Sequence, residues 1–585
     1  MIDYNTIISQ VEEAAYNHYG PTFKFRPNQK EAVASTIYSF LNGYSNDVIL
    51  QGPTGSGKSA IGLLVAAVLS EKYGKKGYIV ISDLSLIQQY ERDCQKFFSE
   101  YSVIKGQQTY KCFKNGLTFS AGMCKLKGCK TYAEIYKKFP GCVGECQYLI
   151  DREQAIKSKV TVCTYSFWLI QQNVVKKILP DNPPFPSRDF VICDEAHKLV
   201  GIVQSHFSPS FSTGDIGKFR NIVDAVYSED TETVDEIDDM RNKIKYTDGN
   251  QEIFNLLKEY IGKFKKIVDA AQDIKQSLSE KIENGEELNK DDRTLLVNSD
   301  FVCDHFSTFD EYINIIETSG VQNLVKNPVK EKIIFNCIDE SYLMGKYFHA
   351  NCGYKMYMSA TIGEPHAYAK DVGINLFYNI DIPSTFNFEK SPIFYVPEYK
   401  LSYKEKEYSL PKIAQMITSI INMYTGKRGI IQTGSYDFAK TLIDLVPDNV
   451  QNRIILYDDS KGKDEAIAYF KSCEDKILVG PSLIEGLSFD DDLCRFQIIM
   501  KVPYPSLADK FVKAKQEINP SWYSNTAAIS ILQGVGRGIR SEYDWCVTFI
   551  LDGCFTYLLQ SSYSMFPIEF INRIKTISPY SLGCK

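Results

Sequence analysis

Short apolar runs rich in β-branched residues recur along the chain, separated by stretches whose apolar positions fall at helical spacing. Nine of them read as buried parallel strands: Asp47–Gln51, Tyr78–Ser82, Val160–Thr164, Phe190–Cys193, Lys355–Ser359, Gly429–Thr433, Lys476–Gly480, Phe496–Lys501 and Val547–Leu551. Strands alternating with helices predict doubly wound α/β architecture. The runs fall into two groups, before about residue 361 and after about 390, which predicts two α/β domains in tandem.

Two segments break the rhythm. Residues 105–147 hold a cysteine cluster and little periodicity, and 206–334 are charged and mostly helical in pattern. Both read as insertions into the first domain, which then comprises 1–104, 148–205 and 335–375, with the second domain over 376–585. The helical insertion reads equally as a purely structural bundle.

Composition narrows the class. Over 585 residues, 44% hydrophobic and 24% charged content excludes wholesale disorder. The longest apolar run, Ala60–Leu69, is about half the ~18–20 residues that span a bilayer. The start, MIDYNTIISQVEEAA, lacks a basic segment followed by an apolar one, so an intracellular protein without a membrane partner is expected.

Net charge is −6, which argues against a DNA-coating protein but not against an enzyme that acts on nucleic acid. From His206 to Lys332 there are 26 acidic and 16 basic residues, a net of −10. From Lys105 to Gln147 the balance is +6, a candidate phosphate-contacting surface or simply a solvated lysine-rich face.

Most of the 16 cysteines, such as Cys94, Cys352 and Cys473, are scattered and read as small buried hydrophobes. Cys112, Cys124, Cys129, Cys142 and Cys146 fall within 35 positions, a density that asks for a metal. Thiolate ligation suits an iron–sulfur cluster and zinc alike.

GPTGSGKS fits G-x-x-x-x-G-K-[ST] and lies between the apolar run DVIL and SAIGLLVAAVL, a strand-to-helix turn. In that loop Gly52, Thr54, Gly55, Ser56 and Gly57 would wrap phosphates with backbone N–H groups, aided by the helix N-terminus. Lys58 would contact the β- and γ-phosphates of ATP, and Ser59 would ligate Mg²⁺. DFVICDEAHKL ends an apolar strand in Asp194, a second Mg²⁺ ligand, and Glu195, placed to orient and deprotonate an attacking water. His197 could sense the phosphate and speak to the other domain. Late in the chain, QGVGRGIR opens with Gln533 and carries Arg537 and Arg540, two of only 13 arginines. At i and i+3 they share a helix face, and a guanidinium suits the charge on a transferring phosphoryl group.

GPTGSGKS, DEAH and QGVGRGIR in this order resemble superfamily-two helicases, and the cysteine cluster between the first two resembles the iron–sulfur branch, the XPD/DinG-like helicases. RPNQ resembles the family's glutamine motif, at Arg26 and Gln29, where Gln29 would recognise adenine. SAT (Ser359–Thr361) resembles the motif coupling hydrolysis to DNA binding. GIIQTGSYDFAKTL resembles the fourth motif, with Ser435 and Tyr436 facing nucleic acid, and VGPSLIEGLSFDDD the fifth, with Glu485 and Gly486 as its EG pair. Departures are SDLSLIQQ without the family's proline, Ser488 where relatives usually carry Asp, and DEAHKL for DEAHNL.

The resemblance implies two RecA-like domains, a [4Fe–4S] domain and a helical arch. It also implies a monomeric ATP-dependent helicase moving 5′-to-3′ on single-stranded and forked DNA. Cys112 and Cys146 resemble the first and last cluster ligands, with Cys124, Cys129 and Cys142 competing for the middle two. Tyr110, Phe113 and Tyr148 are then available for base stacking. A rival reading is a DNA-stimulated ATPase that clamps or remodels protein–DNA complexes without processive unwinding.

Overall fold

The computed structural model describes residues 2–53, 55–118, 132–142, 144–227, 232–284, 286, 288–384, 388–457, 463–481, 491–536 and 544–584. In chain order the strands are β1 (Asp47–Gln51), β2 (Gly77–Ile81), β3 (Ser102–Val103), β4 (Val160–Thr164), β5 (Arg188–Asp194), β6 (Ser210–Ser212), β7 (Leu324–Val329), β8 (Lys332–Cys337) and β9 (Cys352–Ser359). They continue with β10 (Tyr378–Asp381), β11 (Ile393–Tyr395), β12 (Gly429–Gln432), β13 (Ile454–Leu456), β14 (Ile477–Gly480), β15 (Phe496–Ile499), β16 (Val547–Ile550) and β17 (Ile574–Thr576).

Two seven-stranded sheets carry the two lobes, ordered β10-β1-β9-β5-β2-β4-β3 and β13-β14-β12-β15-β16-β11-β17. Every pairing within them is parallel. All nine expected strands are present. In the first sheet successive residues alternate between two cores, as a pleated strand requires. Ile49, Tyr78, Val80, Val191 and Tyr357 face one side, while Val48, Leu50, Ile79, Ile192 and Met358 face the other. The helix Lys58–Glu71 is apolar on all sides, and Ile61 to Ser70 are buried without a break. Helices Tyr4–Tyr19 and Gln29–Leu41 pack against it from outside the sheet.

Among the described residues the helical insertion holds five helices, the longest Lys290–Ser319. At its base lies an antiparallel sheet, β6-β8-β7, that the helical pattern concealed. β8 runs to Cys337, so this unit extends past the expected boundary at 334. A second correction concerns β10, assigned by sequence to the second domain. It pairs with β1, and the first lobe therefore continues to Asp381. Its sequence, YNID, is half polar and largely exposed on a sheet edge, so it lacks the apolar run that marks an inner strand.

Candidate functional site

Strand register brings three motifs to one line. Gln51 pairs with Ser359 and Asp194 with Met358, so β1, β9 and β5 end side by side. The phosphate-loop octet, SAT and DEAH leave these strands at the C-terminal edge of a doubly wound sheet, where such folds bind ligands.

In the loop, Gly55 and Gly57 take φ of +84° and +80°, which L side chains rarely adopt. Lys58 starts the helix and curls back over the loop, its Nζ donating to the carbonyls of Gly52 (2.9 Å) and Pro53 (3.4 Å). Ser56 Oγ is buried with no hydrogen-bond partner among the described residues, a donor that a phosphate oxygen would satisfy. Arg26 donates its guanidinium to Gly55 O. Gln29 is 2% exposed and bonds inward, accepting from Arg26 N (3.1 Å) and donating to Gly57 O (3.2 Å). Thr54 lies outside the described residues.

Asp194, 3% exposed, accepts from Tyr90 Oη (2.9 Å) and from Glu195 N (3.0 Å). Burial, then the neighbouring Glu195 charge, push its pKa up to about 6 against the pull of Lys58. A divalent cation would relieve that penalty, so Asp194 and Ser59 suit Mg²⁺. Gln89 donates to Ser59 Oγ (3.3 Å) from the helix Leu84–Phe97, which also carries Tyr90. Sequence reasoning missed Tyr90; a tyrosine in an amphipathic helix gives no sign of the carboxylate it will meet.

Glu195 adopts φ +52°, a strained backbone for a non-glycine residue. Its Oε2 accepts from Ser359 Oγ (3.3 Å), which in turn lies 2.8 Å from His197 Nδ1. His197 Nε2 is 2.7 Å from Nε2 of Gln533, on the second lobe's helix Pro520–Val535, and the same amide donates to Thr361 Oγ1 (3.1 Å). An amide nitrogen can only donate, so His197 accepts at Nε2 and carries its proton on Nδ1. The hydrogen bonds then run one way: Gln533 to His197, His197 to Ser359, Ser359 to Glu195. One glutamine of the second lobe thereby touches both the turn that follows the DEAH strand and the SAT turn of the first.

A cleft of about 1170 Å³ separates the lobes, lined by Lys58, Asp194, Glu195 and His197 on one side and by Gln533 and Gly536 on the other. Arg537, Arg540, Glu485 and Gly486 lie outside the described residues, as do Cys124 and Cys129.

Cys112, Cys142 and Cys146 are buried, and the latter two sit within the first lobe's apolar core. Thiols suit a metal. Yet among the described residues no three His, Cys, Asp or Glu side chains gather to hold one. The stacking expectation needs correction. Tyr110 (7% exposed) and Tyr148 (2%) meet edge-to-face at 5.2 Å, and Tyr110 Oη donates to Asp151 (2.8 Å). They anchor the cysteine segment to the lobe, and of the three aromatics only Phe113 is exposed. Ser435 likewise caps the helix Tyr436–Leu445 by accepting from Phe438 N, so its hydroxyl has a structural duty.

Comparison with known proteins agrees with this arrangement. The family described as "Type III restriction enzyme, res subunit" matches residues 22–228, and "Helicase C-terminal domain" matches 417–566. The protein named ATP-dependent DNA helicase CHL1 from Vanderwaltozyma polyspora is 27% identical over 124 residues, 17% of this chain and 15% of that protein. Its namesake from Saccharomyces cerevisiae is 27% identical over 124 residues, 17% and 14% respectively. The matched stretch thus spans about 15% of these relatives' length. A solved structure titled XPD_Helicase aligns over 95% of this chain and 100% of its own at 17% identity and a TM-score of 0.60. Xpd4 of S. tokodaii aligns over 94% and 100% at 14% identity and 0.58. At such identity these two establish the fold. One family match thus falls on each lobe, a helicase C-terminal domain on the second, and the chain has the fold of these XPD structures.

Proposed function

We propose that this chain is an ATP-dependent DNA helicase that translocates 5′-to-3′ on a single strand as its two lobes close and open around ATP. The observation that carries the reading is the bridge from Gln533 to His197 and Thr361, which makes the catalytic edge of one lobe depend on the position of the other.

In this reading Lys58, Ser56 and the loop amides hold the triphosphate. Mg²⁺, held by Ser59 and Asp194, would neutralise charge on the phosphates. Glu195 accepts a proton from the water that attacks the γ-phosphorus. The bond to the β,γ-bridging oxygen breaks, leaving ADP and phosphate. By the resemblance, Arg537 and Arg540 would steady the charge on the transferring group. Loss of phosphate loosens the contact across the cleft, and the lobes part along the strand.

The polarity, the preference for single-stranded and forked DNA and a monomeric state belong to this proposal through the same resemblance. So does a [4Fe–4S] cluster on four of the five clustered cysteines. Anaerobic purification followed by iron, sulfide and zinc analysis decides it: about four irons and a broad ~400 nm band support the cluster, and zinc without that band refutes it.

Strand displacement on 5′-tailed, 3′-tailed and forked duplexes tests the function. ATP-dependent displacement of the 5′-tailed substrate, abolished in Lys58→Ala, is expected. DNA-stimulated turnover without displacement would instead favour a remodelling ATPase.

A further inference from the structure

Resting on the proposed reading of the cleft as a nucleoside triphosphate site, we infer that Gln29 positions the phosphate loop instead of reading the base, and that the site accepts any ribonucleoside triphosphate. Reading adenine requires an amide that faces the cleft. Gln29 is 2% exposed, and it is not among the residues lining the cleft, whereas Arg26 is. Its acceptor takes Arg26 N and its donor takes Gly57 O.

The loop is also shaped around it. A Cβ on Gly57 would stand 2.5 Å from Gln29 Nε2, so the glycine's missing side chain is the space the amide fills. Turning Gln29 outward would strand Gly57 O and open a gap under the phosphate cradle. The cleft lining also holds Arg26 and, from the second lobe, Arg573, anchored through Nε to Ser391 O (2.7 Å). A guanidinium face stacks on every base. A pocket that hydrogen-bonds its substrate rejects an analogue by about 10⁴–10⁵, whereas one that merely packs against it discriminates only about 10–200-fold.

The test is steady-state hydrolysis of ATP, GTP, CTP and UTP by the full chain with single-stranded DNA present. Values of kcat/KM within about ten-fold of one another are expected. A wider preference for ATP overturns the inference, and this arm needs no variant. In Gln29→Ala the KM should rise in parallel for all four nucleotides, with kcat little changed in protein that circular dichroism shows to be folded. A loss confined to ATP would make Gln29 the base reader, and unchanged kinetics would remove its role on the loop; either overturns the inference. Lys58→Ala separates the two levels. Loss of turnover with all four nucleotides upholds the site, whereas undiminished turnover sinks the site reading itself.

Discussion

In the proposed mechanism Glu195 is the residue on which the chemistry turns, and its surroundings make a sharp prediction. Its Oε2 accepts from Ser359, a contact that a neutral amide oxygen can also accept. Glu195→Gln should therefore keep nucleotide affinity within a few-fold while lowering kcat by about 10²–10⁴, the usual range for loss of a general base. Equilibrium binding alongside single-turnover hydrolysis checks this; a matched loss in both would mean that Glu195 holds the nucleotide instead. The residues that bear charge were legible in sequence, because GPTGSGKS and DEAH need particular residue types at fixed spacing. Their partners were not. Tyr90 reaches Asp194 across 104 positions and Gln533 reaches His197 across 336, contacts that no local pattern encodes. Gln29 shows the opposite failure: a motif-like residue whose amide the fold directs inward.

Among elements, the inner strands were legible because burial on both faces demands continuous apolar runs. The short ones were not. β3, β6 and β17 have two or three residues each, and β10 sits half polar on an edge. The two lobes also share a packing device that alternation alone does not reveal. Gly77 of β2 pairs with Phe190 of β5, and Gly429 of β12 pairs with Phe496 of β15. A Cβ on either glycine would lie 2.1–2.3 Å from the facing ring, so each phenyl covers the glycine of its neighbour. Gly429→Ala should destabilise the second lobe by about 1–3 kcal/mol through overpacking. In a Phe496→Leu background the same change should do less harm, since the leucine leaves room. Denaturant midpoints of the four proteins measure this, and strictly additive effects would mean that the ring does not restrict the position.

At the scale of the molecule, the described residues of the two lobes meet in two places. One is the nucleotide cleft; the other lies at the base of the helical insertion, where the helix Lys510–Ile518 packs on β7. There Asn327 donates to Asp509 (3.1 Å) and accepts from Lys510 N (3.3 Å). Lys515, 4% exposed, donates to both Glu340 oxygens (2.7 and 2.5 Å), with Asp371 at 4.0 Å. Burial raises the Glu340 pKa to about 7, held down by Lys515. Lys515→Met leaves a buried carboxylate unpartnered, a loss of about 3–5 kcal/mol when it is charged. The pH dependence follows from linkage. Unfolded, Glu340 is ionised above its ordinary range near 4.5, whereas folded without Lys515 it holds its proton to above 7. At pH 6 the variant buries a neutral acid, and at pH 8.5 a charge, so the melting-temperature gap from the parent protein should widen as pH rises. A constant or narrowing gap would show that Glu340 does not depend on Lys515. The insertion's net charge of −10 was plain in sequence, but its docking against the second lobe was not, since that joint rests on one lysine among many.

The cross-lobe hydrogen-bond chain stands at the centre of this account, and a double-mutant cycle on DNA-stimulated ATP turnover tests it most directly. Gln533→Ala, His197→Ala and the pair together should each lower the stimulated rate, with the double variant scarcely worse than the more damaged single one, because both changes cut the same chain. Additive losses, or a Gln533→Ala protein still fully stimulated by DNA, would contradict the claim that the second lobe governs hydrolysis through this contact.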